Sequence, residues 1–139
     1  MPDLTALRQW REEIVRRHME AENVLDFDTV MKTFSHPRYE IIATGQIYDG
    51  DAEVRDYFRA SRTSFPDQRN ELISLRHADD AVIVEFWLLG THKGDLMDIA
   101  PTGKTFRCRM VAIYVFDDTG LVCERVYFDS ASILRQLTA

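Results

Sequence analysis

Thr105-Phe106-Arg107-Cys108-Arg109-Met110-Val111-Ala112-Ile113-Tyr114-Val115-Phe116, then Asp117-Asp118-Thr119-Gly120, then Leu121-Val122-Cys123-Glu124-Arg125-Val126-Tyr127-Phe128: this stretch decides the fold. Two runs rich in β-branched and aromatic residues flank a polar turn that ends in glycine, which predicts a β-hairpin. Strand side chains alternate between faces. One parity of the first run gathers Phe106, Cys108, Met110, Ala112 and Tyr114, and the second run continues it through Val122, Glu124, Val126 and Phe128. The other parity gathers Arg107, Arg109, Val111, Arg125 and Tyr127. A hairpin with one oily face needs an apolar cover.

Working outward, residues 71–77 and 81–91 read as a second pair of strands joined at Asp79-Asp80. Val82, Val84, Phe86, Leu88 and His92 extend the oily face, whereas Glu85, Trp87, Leu89 and Thr91 extend the mixed one. Between the pairs, Gly94, Pro101 and Gly103 mark residues 93–104 as a loop. The cover lies upstream. Residues 3–24 predict a helix, with Leu7, Trp10, Ile14, His18, Ala21 and Leu25 on one face. Asp26 caps a second helix striped by Phe27, Val30, Met31 and Phe34, and His36-Pro37 stops it. Residues 39–44 form a short strand. Asp49-Gly50-Asp51 opens a third helix with Val54, Tyr57, Phe58 and Ser61 inward, and Asp129 caps a short last helix. Helices first and strands afterwards predict one α+β domain over residues 1–139. The expected form is a cone-shaped barrel, a curved antiparallel sheet wrapped around the N-terminal helices and enclosing one small-molecule pocket.

At 139 residues and 45% hydrophobic content, one core of ordinary size is expected. No apolar run reaches the roughly 18 residues of a membrane span, and no basic-then-apolar leader opens the sequence, so a cytoplasmic location is expected. The net charge of -6, with both signs interspersed, argues against a nucleic-acid partner. Cys108 and Cys123 fall on opposite strand faces, which argues against a disulfide. His18, His36, His77 and His92 show no short ligand spacing, so no metal is expected, and no glycine-rich phosphate loop calls for a nucleotide cofactor. The mixed sheet face, with Trp87, Arg109 and Tyr127, has the composition of a subunit contact and predicts a homodimer.

Several local strings sharpen the reading. They are Gly50-Asp51-Ala52-Glu53-Val54-Arg55-Asp56-Tyr57-Phe58, Gly90-Thr91-His92-Lys93-Gly94, Pro101-Thr102-Gly103-Lys104, and Tyr127-Phe128-Asp129 followed by Ile133-Leu134-Arg135-Gln136-Leu137. Their order and spacing resemble the SnoaL-like, polyketide cyclase-like branch of the nuclear transport factor 2-like superfamily. That resemblance implies the cone-shaped fold and a family of cyclases, isomerases, hydrolases, dehydratases and non-catalytic binders. It also implies where to look for chemistry. His18 matches the place of the oxyanion-holding tyrosine of ketosteroid isomerases. The isomerase aspartate falls near Ile41 or Ile42, which disfavours that mechanism. The final-strand aspartate of the cyclases falls at Val126, and Glu124 has the same parity two residues earlier.

The candidate proton-transfer residues are therefore His18, His92 and Glu124. An imidazole exchanges protons near neutral pH, and a carboxyl on an apolar face has its pKa raised by desolvation. Trp10, Phe86, Met110 and Phe128 are expected to line the pocket, with Tyr114 and Val126 beside them and Met97 and Ile99 covering it from the loop. Asp129 reads as a helix cap, and Arg109 as an outer salt bridge to Glu85. The leading expectation is side-chain proton transfer without a cofactor on a hydrophobic carbonyl compound, by cyclisation, isomerisation or hydration and dehydration. A non-catalytic small-molecule binder of the same fold is the alternative, and a pure interaction domain the third reading.

Overall fold

The computed structural model describes residues 3–139. Helix α1 (Leu4–Asn23) starts at Asp3, whose side chain accepts from Thr5 N–H. Helix α2 (Phe27–Lys32) starts at Asp26, which accepts from Thr29 N–H as expected. Strands β1 (Arg38–Ile41) and β2 (Gln46–Asp49) follow, and then helix α3 (Asp51–Ser64). Strands β3 (Arg69–His77), β4 (Ala81–Thr91), β5 (Thr105–Asp117) and β6 (Gly120–Tyr127) complete the sheet. Helix α4 (Ser130–Thr138) closes the chain, capped by Asp129 through Ala131 N–H.

The six strands form one curved sheet in the order β2-β1-β6-β5-β4-β3. All neighbours are antiparallel except β1 and β6, which run parallel. The expected two-face division holds along β5 and along β4 as far as Phe86, where Val82, Val84, Phe86, Phe106, Cys108, Met110, Ala112 and Tyr114 are all buried, whereas Leu88, expected on the same inner face, is only half-buried. On β6 it fails at one residue. A bulge carries the pairing from Val115–Cys123 to Phe116–Leu121, so Val122 is the extra residue. Leu121, fully buried, takes the inner place expected for Val122. Glu124 and Val126 keep theirs, opposite Tyr114 and Ala112. Cys123 pairs with Val115 on the outer face, away from Cys108, and both thiols are free.

The helical stripe is rotated from the expected one. Arg11, Ile14, Val15, His18, Met19 and Ala21 are the buried residues of α1. Trp10 is 46% exposed and Leu25 47%. The core runs continuously from Val15 and Met19 through Phe58 and Tyr39 to Val84, Met110 and Tyr114. Among the described residues, no helix is long and apolar enough to cross a membrane.

On the outer face, Trp87 lies beneath the guanidinium of Arg107, 3.7 Å from the ring centroid. Arg109 pairs with Glu85, as expected, at 2.5 Å.

Candidate active site

A polar group sits inside the core where α1, β1 and β6 meet. His18 comes from the middle of α1, Glu22 from one turn later, Tyr39 from β1 and Glu124 from β6. The i,i+4 spacing puts His18 and Glu22 on one helix face. The parallel pairing of β1 with β6 sets Tyr39 beside Glu124. His18 is wholly buried, Tyr39 is 2% exposed and Glu124 5%.

Hydrogen-bond directions fix the protons. The Thr33 hydroxyl donates to the Val30 carbonyl at 2.6 Å, so at 2.9 Å it accepts from His18 Nδ1–H. On the other side, Nε2 lies 2.8 Å from the Tyr39 hydroxyl, and that hydroxyl donates to Glu22 Oε1 at 3.0 Å. With its proton committed to Glu22, the Tyr39 oxygen accepts from Nε2–H. Both ring nitrogens therefore donate, which makes His18 an imidazolium. Glu22 Oε1 and Glu124 Oε1 flank Nε2 at 2.6 and 2.8 Å. One N–H cannot serve three oxygens, and Glu124 Oε1 is left buried with no donor despite its closeness.

The pKa directions agree with this geometry. Burial opposes the charge on His18, but Glu22 and Glu124 outweigh it and push the ring up to about 9. Glu22 is held below the usual range: burial opposes this, and His18 and Arg62 overcome it. Glu124 is raised by burial and by the nearby Glu22 charge. Tyr39 and Tyr114 are raised well above the ordinary phenol range, chiefly by burial, and stay protonated. The group thus contains a carboxyl with enhanced proton affinity next to a fixed cation. That is a chemical setting for moving one proton.

His18, Glu22 and Glu124 also present a donor set that could ligate a metal, with ligand atoms within 4.8 Å of one another. The 2.6 and 2.8 Å contacts to Nε2 are hydrogen-bond lengths. Ligands around one zinc-sized ion, each about 2.0–2.1 Å from it, would stand farther apart. The present arrangement is closed around a proton and does not fit a bound ion.

The structure brings together two of the three candidate proton-transfer residues. His92 belongs elsewhere. It follows the last residue of β4, beyond the Thr91–Thr105 pair, whereas His18 packs on Tyr114. Thr105 and Tyr114 are nine positions apart, roughly 30 Å of strand. Thr102 N–H donates to His92 Nδ1 at 3.2 Å, so the ring pins the loop.

Phe86, Met110, Tyr114 and Val126, expected to line a pocket, are instead members of the packed core. Phe128 packs against that core while partly buried. Met97, predicted to cover the pocket, is 74% exposed. Its left-handed backbone, φ 51, sits in a tight turn closed by hydrogen bonds between Leu96 and Ile99. Ile99 is half-buried in the same turn. Two clefts of about 380 and 320 Å³ open on the outside. The first, beside α1 and the β5–β6 turn, is bordered by Trp10, Phe34 and Thr33, the residue whose hydroxyl holds His18.

Sequence reasoning missed Glu22, Thr33, Tyr39 and Arg62. Glu22 carried a signal, an acid four residues after a histidine on an apolar helix face. Tyr39 and Thr33 carried none, because their roles depend on how β1 pairs and where α2 docks.

The SnoaL-like polyketide cyclase family profile matches residues 12–137. No curated protein matches the chain. Among solved structures, AclR of Streptomyces galilaeus, described as a candidate hydroxylase, is 21% identical over 93% of this chain and 85% of its own, with a TM-score of 0.79. IdmH of Streptomyces antibioticus, described as a candidate polyketide cyclase, is 20% identical over 93% of this chain and 99% of its own, also at 0.79. A Catenulispora acidiphila protein with a ketosteroid isomerase-like fold, solved with trimethylamine, is 17% identical over 90% and 92%, at 0.77. At these identities the structures speak for the fold, and the profile, matching nearly the whole chain, speaks for the family. The chain belongs to the SnoaL-like polyketide cyclase family.

Proposed function

We propose that the protein catalyses proton transfer at a carbon next to a carbonyl in a hydrophobic small molecule, with Glu124 as the group that exchanges the proton. One observation carries this: a buried carboxyl oxygen without a donor, 2.8 Å from the imidazolium of His18. The His18 cation stabilises the Glu124 carboxylate, while burial and Glu22 favour its protonated form. Glu124 is thereby suited to take a proton from carbon and return it elsewhere. Thr33, Tyr39 and Glu22 hold the ring in position. The family and the candidate cyclase among the structural relatives support cyclisation, isomerisation or hydration and dehydration as the overall reaction, driven by side chains alone.

The test is deuterium uptake at the α-carbon of aromatic 1,3-diketones in D2O, followed by NMR. The wild-type chain should accelerate uptake, and Glu124→Gln should lose about 10²–10⁴-fold of that acceleration. Acceleration undiminished in Glu124→Gln would refute the assignment. Binding of these probes with no acceleration in the wild type would establish the non-catalytic binder instead.

A second copy of this chain is the proposed partner for the outer sheet face. Tyr127 is 41% exposed there, and Trp87 with its two arginines gives the aromatic and guanidinium composition of an interface. Sedimentation should show a dimer in the wild type and a monomer in Tyr127→Glu.

A further inference from the structure

Arg62, on α3, is one-tenth exposed at the side chain, yet it makes a single hydrogen bond among the described residues, from Nη1 to Ser61 Oγ at 2.8 Å. Its Nε–H is buried with no acceptor. Its Nη2 stands 3.6 Å from Glu22 Oε2, a charge contact too long for a hydrogen bond. The guanidinium lies 5.2 Å from the Phe27 ring centroid and 5.8 Å from that of Phe58, and those rings stack at 4.5 Å. A buried guanidinium N–H without an acceptor is costly. Its neighbour Glu22, 14% exposed at the side chain, is where the buried group meets solvent.

We propose that Arg62 is the anchor for a carboxylate on the substrate, which narrows the substrate class to aromatic or polycyclic carbonyl compounds that carry a free carboxylate. This rests on the reading of the His18–Glu124 group as the reactive site. The planar fork of a guanidinium matches a carboxylate with two parallel hydrogen bonds, and Nε with Nη2 is one such edge. The apolar body of the ligand then packs against Phe27, the partly buried member of that stacked pair.

The experiment compares 2-naphthoate with 2-acetonaphthone, which share a ring system and differ in charge, by isothermal titration on the full chain. The wild type should bind 2-naphthoate at least about tenfold more tightly. Arg62→Met should lose that advantage while leaving 2-acetonaphthone within about twofold, and Arg62→Lys should recover only part of it. The Nε–H resonance of Arg62 in the wild type should move on addition of 2-naphthoate, a readout that needs no variant to fold. Equal affinities, no binding of 2-naphthoate, or an unmoved Nε–H resonance would each overturn the proposal. Its fate is separable from that of the proton-transfer reading. Carboxylate binding through Arg62 without deuterium uptake sinks the chemistry alone, and uptake lost in Glu124→Gln with Arg62 indifferent to 2-naphthoate sinks the anchor alone.

Discussion

Alkaline pH should destabilise this protein through one side chain. His18 ordinarily titrates near 6.5, and the fold pushes it up to about 9. The folded state therefore binds this proton more tightly than the unfolded state. Its stabilising contribution is complete below pH 6.5 and disappears as pH rises through about 9. A shift of that size corresponds to about 3 kcal/mol, at about 1.36 kcal/mol for each pH unit. For a chain of this length, that is a fall of about 10 °C in melting temperature. The ring is wholly buried, so solvent does not screen the effect. Urea unfolding of the wild type from pH 6 to 9.5 should show the loss concentrated between 6.5 and 9. His18→Gln has no ring to titrate. It should start roughly 3–5 kcal/mol lower at pH 6, with Glu22 and Glu124 deprived of their cation, and then stay nearly flat across the same window. Parallel curves for the two proteins, or an NMR midpoint for the His18 ring at or below 6.5, would refute the account of the buried group.

Glu22→Gln should bring the His18 midpoint down from about 9 toward its ordinary value, since Glu22 is the foremost charge raising it; an NMR titration reads this directly. His92→Gln should lower stability by about 1–2 kcal/mol by releasing the loop around Thr102, yet leave deuterium uptake unchanged. Gly94→Ala should lower the melting temperature, because the added Cβ would lie 2.0 Å from the Thr63 carbonyl oxygen, a backbone atom with little room to yield. A cost of about 1–3 kcal/mol is expected by calorimetry, and an unchanged melting temperature would mean that the loop does not pack there.

The sequence carried the sheet faces because burial on one side imposes a period of two, which β5 keeps along its whole length and β4 keeps from Val82 to Phe86. It did not carry β2. Gln46–Asp49 is a four-residue edge strand, mostly exposed on both faces, so burial leaves no alternation to read. Nor did it carry the bulge at Val122, which moves Leu121 inward through pairing geometry that no residue type announces. The site divided along the same line. His18 and Glu124 were legible as polar residues on apolar faces. His92 was legible by the same rule and proved to be a loop pin, since the rule finds buried polar groups without saying which of them meet. Tyr39 joins the group through the parallel pairing of β1 with β6, a contact between distant parts of the chain.

That pairing has a bearing on biogenesis. Strand β1 can pair with β2 early but cannot acquire its parallel partner until β6 has been made, and Glu124 follows His18 by 106 residues in the sequence. At roughly 5–20 residues per second, a ribosome adds them over about 5–20 s. Throughout that interval the nascent chain holds the histidine and Glu22 without the last wall of their enclosure. A chain released before residue 124 keeps one half of the sheet seam and has nothing to close it. Such fragments should be the ones that quality-control proteases remove.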